Sequence, residues 1–233
     1  MKMRNHHTSR EFEAEVRGLR TSILAMGARC DHIVDLAVRA FVGDSDPVAT
    51  AQEVEELDRK IDEDELDIDA RVLRMLALRQ PVASDLRLLT AAMRLATDLE
   101  RIGDESVNVA ERAREAEGLA KRAAIADVRA LGEGARRMVR EAIASFATED
   151  PEAAKRVLAS DSEIDDRYHS LTQSTLELVS SAPSEIRPAI AVMKVAKYLE
   201  RVADHATNVA EEVIFIVTGT DARRPRRVPT ALR

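Results

Sequence analysis

The amino-acid sequence predicts an all-α protein made of two tandem, pseudo-symmetric three-helix bundles, with six long helices in all. First, the chain is rich in Ala, Leu, Arg and Glu, and its 233 residues include only 8 Gly, 7 Pro and 3% aromatic residues. Straight-chain residues lose little rotamer freedom in a helix, and residues that favour strands are scarce. Second, apolar residues recur in alternating steps of four and three, which is typical of packed helices. Third, the whole pattern occurs twice, about 100 residues apart.

The first bundle is expected over residues 8–119, and its first helix over about residues 8–41. Apolar residues repeat through this segment at the spacing of a helix that packs nearly parallel or antiparallel to its neighbours. Asp46-Pro47 then favours the start of a second helix. An Asp side chain can cap backbone N–H groups, and Pro suits the first helical position.

The second helix is expected to run from about Pro47 to Arg79, where Gln80-Pro81 breaks it. Ser84 is expected to cap a third helix, which reaches about Gly118. Together these three helices form one unit that can bury its apolar faces in a bundle.

The second bundle, expected over residues 120–219, repeats the first helix by helix. Asp150-Pro151 gives the same helix start as the one in the first bundle. Between residues 93–111 and 193–211, ten of nineteen positions are identical, so the repeat is not an effect of composition. Residues 220–233 are expected to form a basic, flexible tail.

Charge and cysteine content narrow the classes of function. The formal net charge is −7, and the tail after Thr220 holds five Arg and one Asp, so the rest of the chain is near −11. Such an acidic body is a poor general partner for nucleic acid.

The single cysteine, Cys30, permits no intrachain disulfide and fits a reducing cytosol. Because no apolar run approaches the ~20 residues that cross a bilayer, we expect a cytoplasmic protein.

Acidic residues also occur in pairs four residues apart, at or beside positions that face the core. Residues at this spacing share one helix face, so two such pairs on consecutive antiparallel helices can bring four carboxylates together. Carboxylates in that setting must lie at the solvent edge, pair with Arg or Lys, or bind a metal ion. Oxygen-rich sites suit hard or borderline cations such as Mg, Ca, Mn or ferric iron. The pairs are Asp58/Asp62 with Glu100/Asp104 in the first bundle and Asp161/Asp165 with Glu200/Asp204 in the second, and Asn108 and Asn208, one turn further on, are possible additional ligands.

Three segments of the chain resemble the PhoU family of phosphate-system regulators. They read Asp98-Leu-Glu-Arg-Ile-Gly-Asp104, Tyr198-Leu-Glu-Arg-Val-Ala-Asp204-His205 and Arg79-Gln-Pro-Val-Ala-Ser-Asp-Leu-Arg87. The resemblance covers nearly the whole chain and implies two three-helix bundles with multinuclear metal sites at the paired acids. The metal implied is Fe, Zn, Mn, Mg or Ca. One departure, Ala203 in place of Gly103, is expected to be neutral.

The same resemblance implies partners rather than substrates. Members of the family link the ATPase subunit of a phosphate ABC transporter to a sensor histidine kinase, and they damp the phosphate-starvation response when phosphate is plentiful. Any membrane association would then be peripheral and through these partners, with no direct contact to nucleic acid. We also expect a homodimer, because long amphipathic helices often leave an apolar face to share.

Two alternatives remain open. One is a helical scaffold that binds no metal. The other is a carboxylate-bridged di-iron enzyme, which needs Glu-x-x-His on two helices, whereas only Asp166-x-x-His169 approaches that pattern. The sequence contains neither an arrangement of Ser, His and Asp that suggests nucleophilic catalysis nor a glycine-rich phosphate loop. The resemblance to the PhoU family implies no catalysis.

Overall fold

The structure, a computed structural model, describes residues 6–113 and 118–222, and within these ranges it consists of helices and their connections. The six long helices confirm the predicted fold class. They are α1 (His6–Val42), α2 (Pro47–Arg79), α3 (Ser84–Arg112), α4 (Leu119–Thr148), α5 (Pro151–Ser181) and α6 (Ile186–Thr218), with a 3-10 turn at Pro183–Glu185 before α6. Most of the predicted tail lies outside the described residues.

Both Asp-Pro sequences start helices as predicted. The Asp46 carboxylate accepts hydrogen bonds from the N–H groups of Val48 and Ala49, the second and third residues of α2, at 2.8 and 2.9 Å. The Asp150 carboxylate does the same at the start of α5, at 2.9 and 3.1 Å. Each carboxylate therefore satisfies two N–H groups that have no partner within the helix.

The predicted cap of α3 is wrong. Ser84 is already the first helical residue, and Ala83 occupies the capping position without a side-chain hydrogen bond. Ala83 has φ 49° and ψ −112°, an unfavourable backbone conformation for a residue with a Cβ atom. The loop after Pro81 therefore enters α3 through a strained residue rather than through a capping side chain.

The end of the third helix differs from the prediction. Helix α3 ends at Arg112 rather than near Gly118, and α4 begins at Leu119. A tertiary contact fixes the start of α4, because the Glu185 carboxylate accepts hydrogen bonds from the N–H groups of Leu119 and Ala120 at 2.6 and 3.2 Å. A side chain from the 3-10 turn before α6 thus caps the start of α4.

The two bundles share one core. Helices α1–α3 pack together, α4–α6 pack together, α3 packs along α6, and α1 contacts α4. Large apolar side chains on the inner faces of the helices, among them Ile61, Leu99 and Leu131, are fully buried. Cys30 is also buried, and its thiol donates a hydrogen bond to the Leu99 carbonyl at 3.2 Å.

Polar contacts fix how α3 lies against α6. The paired residue numbers rise on one helix as they fall on the other, so the two helices are antiparallel. Glu212 is only 2% exposed, and Arg94 donates two hydrogen bonds to its carboxylate. The contacts are Arg94–Glu212 at 2.6 and 2.8 Å, Arg201–Glu105 at 3.1 Å and His205–Asp98 at 3.0 Å.

None of the helices in the described part of the chain combines the length and apolar character needed to span a membrane.

Candidate metal centres

The first acidic cluster lies where α2 packs against α3. Asp58 and Glu100 are half-buried, whereas Asp62 and Asp104, each one turn further along its own helix, are exposed. The i,i+4 spacing keeps each pair on one face of its helix. The cluster is therefore an open site, with two carboxylates partly within the protein and two at its edge.

The pKa values show that these four carboxylates interact. Burial, together with the charges of Asp62 and Asp104, raises the pKa of Asp58 to about 6. Burial is also the main cause that raises the pKa of Glu100 to about 7. The charges of Asp104, Glu65 and Asp62 act in the same direction on Glu100, and the Arg101 guanidinium only partly opposes them. The sequence prediction that the two helix faces meet is thus consistent with the structure.

Gly103 has a specific role in this cluster. One carboxylate oxygen of Asp58, Oδ1, is buried and has no hydrogen-bond partner among the described residues. A Cβ atom added to Gly103 would lie 2.6 Å from that oxygen. In the first bundle, therefore, only glycine lets Asp58 approach α3 so closely. In the second bundle, Ala203 is accommodated and fully buried.

The second acidic cluster lies at the equivalent place between α5 and α6. Asp161, Asp165 and Glu200 are half-buried, and Asp204 is exposed. Burial raises the pKa of Asp161, with the charges of Asp165 and Glu200 adding to the effect. Partial desolvation by the neighbouring helix residues, followed by the charges of Glu200 and Asp161, raises the pKa of Asp204. These four carboxylates also form one interacting group.

The two clusters differ in one pair of positions. In the second, the Lys197 ammonium donates a hydrogen bond to Glu200 at 2.5 Å and lies 5.5 Å from the centre of the Tyr168 ring. The equivalent residues in the first bundle are Thr97 and Glu65, and the Thr97 hydroxyl donates to Glu65 at 2.9 Å. The first cluster therefore has a fifth acid, Glu65, in place of Tyr168, and the second has an internal cation, Lys197, in place of Thr97. Aligning the two repeats residue by residue would have revealed this difference.

The two asparagines form hydrogen bonds with acids other than the paired ones. The Asn208 amide donates to Asp98 at 2.9 Å, across the boundary between the bundles. The Asn108 amide donates to Glu105 at 3.4 Å on its own helix. Their role as additional metal ligands stays a prediction.

The donor set suits a cation, although the side chains are not gathered around one. Within residues 6–113 and 118–222, no three His, Cys, Asp or Glu side chains are grouped so as to hold a metal ion as they stand. Binding would require the carboxylates to rotate inward. The clustered negative charge, the raised pKa values and the unsatisfied Asp58 oxygen all favour a hard cation.

The residues suggested for a di-iron site do not contribute to either cluster. Asp166 and His169 both lie on the exposed face of α5. The structure therefore gives no support to the Glu-x-x-His arrangement of a di-iron enzyme.

Comparison with known proteins gives consistent results for sequence and structure. The model of the PhoU domain matches the chain twice, over residues 23–113 and 128–213. The phosphate-specific transport system accessory protein PhoU homolog of Pseudomonas putida is 39% identical over 221 residues, which are 94% of this chain and 85% of that protein. The homolog of the same name in Pseudomonas aeruginosa is also 39% identical, over 94% of this chain and 90% of that protein.

Two solved structures share the fold. The crystal structure of PhoU from Pseudomonas aeruginosa superposes with a TM-score of 0.83 and 37% identity, covering 90% of this chain and all of that one. The phosphate transport system regulatory protein PhoU from Streptococcus pneumoniae gives a TM-score of 0.82 over 90% of this chain and 98% of that one. At 24% identity, this second match supports the fold alone.

Proposed function

This chain belongs to the PhoU family, and on that premise we propose that it is an accessory protein of a phosphate-specific transport system. The observation that carries the proposal is the 39% identity, over 94% of the chain, to relatives that bear this name. We propose a non-enzymatic role, which agrees with their description as accessory proteins. The chain would act in the cytoplasm and reduce phosphate uptake and starvation signalling when phosphate is sufficient.

The proposed partners are the ATPase subunit of the phosphate ABC transporter and a sensor histidine kinase. An adaptor of this kind needs long, rigid surfaces rather than a substrate cleft, and six helices of about 30 residues supply them. The acidic surface is consistent with protein partners rather than nucleic acid. Membrane association would then be peripheral, through the transporter and the kinase.

Deletion of the gene tests this role. Transcription from a phosphate-regulated promoter should rise in phosphate-rich medium, because the negative regulator is gone. Re-expression of the intact chain should return it to the original level. If the deletion leaves transcription unchanged in rich medium, the proposed role is wrong.

We further propose that both acidic clusters bind metal ions through their carboxylate oxygens. The first site would use Asp58, Asp62, Glu100 and Asp104, and the ion would neutralise the charges that raise two of their pKa values. Carboxylate sites accept Mg, Ca, Mn, Fe or Zn, and cellular availability selects among them. The equivalent residues of the second site are Asp161, Asp165, Glu200 and Asp204.

Elemental analysis of protein purified without an affinity metal column tests the metal sites. The isosteric double variant Glu100→Gln/Asp104→Asn should lose the metal of the first cluster alone. The matched control Glu200→Gln/Asp204→Asn should lose that of the second alone. Loss of all metal in either variant would contradict two separate sites.

The presence of Lys197 in the second cluster alone predicts that the two clusters differ in their affinity for cations. We propose that the first cluster binds cations more tightly, because Lys197 already offsets part of the charge of the second. Exchanging the equivalent residues tests this directly. Thr97→Lys should weaken binding at the first cluster at least tenfold in a calorimetric titration with Mn²⁺, and Lys197→Thr should strengthen it at the second. Unchanged affinities in both variants would contradict the proposal.

The metal-free scaffold remains the second candidate, and the Lys197–Glu200 ion pair favours it for the second bundle. Thermal melting separates the two candidates. A bound ion stabilises the folded state by RT ln(1 + [L]/Kd), a few kcal/mol at saturation. If chelation and re-addition of Fe, Mn, Mg, Ca or Zn leave the melting temperature unchanged, the scaffold is correct.

A further inference from the structure

Arg87 differs from the other half-buried arginines in the described part of the chain. Each of the others forms an ion pair with an Asp or Glu side chain, as Arg136 does with Asp31 at 2.8 Å. Arg87 forms no ion pair with a described residue, and its buried Nε atom has no hydrogen-bond partner there. Because buried polar groups are costly to leave unpaired, Arg87 indicates a partner from outside the chain.

Arg87 lines a cavity at the end of the molecule where α3 begins and α6 ends. The cavity has a volume of about 320 Å³. Its lining includes the buried Ile216 and the 38% exposed Val217, together with the polar residues Ser84 and Asp85. An apolar lining with a few polar groups is typical of binding sites.

The end of α6 holds the Arg87 side chain in place. A Cβ atom added to Gly219, the residue that ends α6, would lie 3.6 Å from Cζ and Nε of Arg87. The guanidinium therefore packs against this glycine. The C-terminal end of a helix stabilises a cation, but here it supplies no hydrogen-bond acceptor for Nε.

The charges around the cavity disfavour a free anion of double charge. Asp85 and Glu149 also line the cavity, and Glu149 is paired with Arg20 at 2.6 Å. Asp85 would repel a phosphate dianion. A single carboxylate with apolar neighbours fits better, because Arg binds a carboxylate through two parallel hydrogen bonds and the apolar lining can contact the neighbours.

The second repeat uses the equivalent place differently. Glu185, the counterpart of Asp85, caps the start of α4. In the first repeat, α1 continues past this place, so Asp85 has no helix start to cap. Arg187, the counterpart of Arg87, is exposed. The repeated fold therefore does not require a half-buried, unpaired arginine at this position.

We propose that this cavity docks a protein partner by binding an Asp or Glu side chain that is flanked by apolar residues. Arg87 forms the ion pair with that carboxylate, and Val217 contacts the apolar neighbours. The inference rests on the proposed adaptor role, in which the partners are the transporter ATPase subunit and the sensor kinase. Arginines that become fully paired and desolvated in a complex often contribute strongly to its affinity.

Binding of the purified ATPase subunit and of the detergent-solubilised kinase, measured by biolayer interferometry, tests the cavity. Arg87→Gln should weaken the binding of one of them at least tenfold. Arg87→Lys should recover only part of that loss, because an ammonium lacks the planar pair of donors. The control Arg187→Gln should bind like the wild type. Unchanged binding of both partners by Arg87→Gln would overturn the docking site alone, whereas a wild-type chain that binds neither would overturn the proposed partners as well.

The apolar lining provides an independent variant. Val217→Gln should weaken the same binding at least threefold, because a polar side chain would face the apolar neighbours of the carboxylate. Ile190→Gln is the control, since Ile190 is 42% exposed and lies about 40 Å away along α6. Equal effects of the two substitutions would contradict docking at this cavity.

Two further measurements separate docking from other roles of Arg87. Arg87→Gln should keep or raise the melting temperature, because the free protein offers the guanidinium no acid. A lowered melting temperature together with lost binding would assign Arg87 to the fold and overturn the proposal. Calorimetric titration with inorganic phosphate should show no binding at this cavity. Saturable phosphate binding that Arg87→Gln abolishes would assign the cavity to a free anion instead.

Discussion

Gly103 and Asp58 show how one missing Cβ atom makes the two acidic clusters different. Glycine normally weakens the interior of a helix by about 1 kcal/mol relative to alanine. Here the glycine allows a buried carboxylate oxygen of Asp58 to approach the backbone of α3. Glycine at this position therefore permits the close approach of Asp58, although it lowers the helix propensity of α3.

The variant Gly103→Ala should weaken metal binding at the first cluster at least tenfold. Asp58 must move away from the new Cβ atom, so the usual gain in helix stability of about 1 kcal/mol should be reduced or lost. Ala203→Gly in the second bundle is the matched control, and it should lower stability by about 1 kcal/mol without lowering affinity there. Metal titration and urea unfolding measure both effects. A Gly103→Ala variant of unchanged affinity would show that Asp58 is not held as described.

The raised pKa values of Asp58 and Glu100 predict a pH dependence in the metal-depleted protein. The values of about 6 and about 7 lie above the ordinary values of about 4 in the unfolded chain. The unfolded state therefore releases its protons first as pH rises. These groups impose no penalty below pH ~4, and folding stability falls as the pH rises through the pKa values of the folded protein, to about pH 7.

The variant Asp58→Asn/Glu100→Gln should remove this loss. In the presence of chelator, it should exceed the wild type in unfolding free energy by more at pH 8 than at pH 5. The difference should be about 1–2 kcal/mol, because both groups are only partly buried and solvent screens their charges. Urea unfolding at the two pH values measures it. An advantage of equal size at both pH values would contradict the raised pKa values.

How much of the site could be predicted from sequence depended on the kind of interaction. The pairing of acids on one helix face follows from helix periodicity, whereas their use as metal ligands stays a prediction. The close approach of Asp58 to Gly103 depends on how tightly α2 packs on α3, and no local pattern carries that information. The Lys197 contact is an intermediate case. Comparison of the two repeats shows Lys197 in place of Thr97, but only the fold shows that Lys197 binds Glu200.

At the scale of helices, local signals predicted the boundaries only where a local side chain makes the cap. Asp46 and Asp150 bind N–H groups within three residues, and both helices start where the sequence indicates. The start of helix α4 is instead capped by Glu185, which is 66 residues from Leu119 along the chain. Ser84 has the residue type of a cap, but the chain enters α3 through Ala83 with no side-chain cap.

Two substitutions test this account of the helix starts. Glu185→Ala should lower the unfolding free energy by about 1 kcal/mol, as loss of a capping side chain does. Ser84→Ala should change it by less than about 0.5 kcal/mol, since the Ser84 side chain does not cap α3. Guanidinium unfolding followed by circular dichroism gives both values. A larger loss for Ser84→Ala than for Glu185→Ala would reverse the assignment.

At the scale of the whole molecule, the two repeats share a core and a set of ion pairs instead of folding as separate domains. Helices α3 and α6 lie side by side along the centre. The Glu212 carboxylate is almost fully buried there and is bound by Arg94 of the other repeat. Each repeat therefore depends on the other both for apolar contacts and for a charge partner.

This dependence predicts one cooperative unfolding transition that weakens when the central ion pair is removed. Arg94→Ala should lower the unfolding free energy by about 2–3 kcal/mol, because Glu212 stays buried without its two hydrogen bonds from the guanidinium. Lys194→Ala is the control, since Lys194 is the equivalent residue of the second repeat and is exposed, and it should change stability by less than about 0.5 kcal/mol. Calorimetry checks both statements, because the calorimetric and van't Hoff enthalpies agree only when the chain unfolds as one unit. Two separate transitions in the wild-type chain would show that the bundles fold independently despite their shared core.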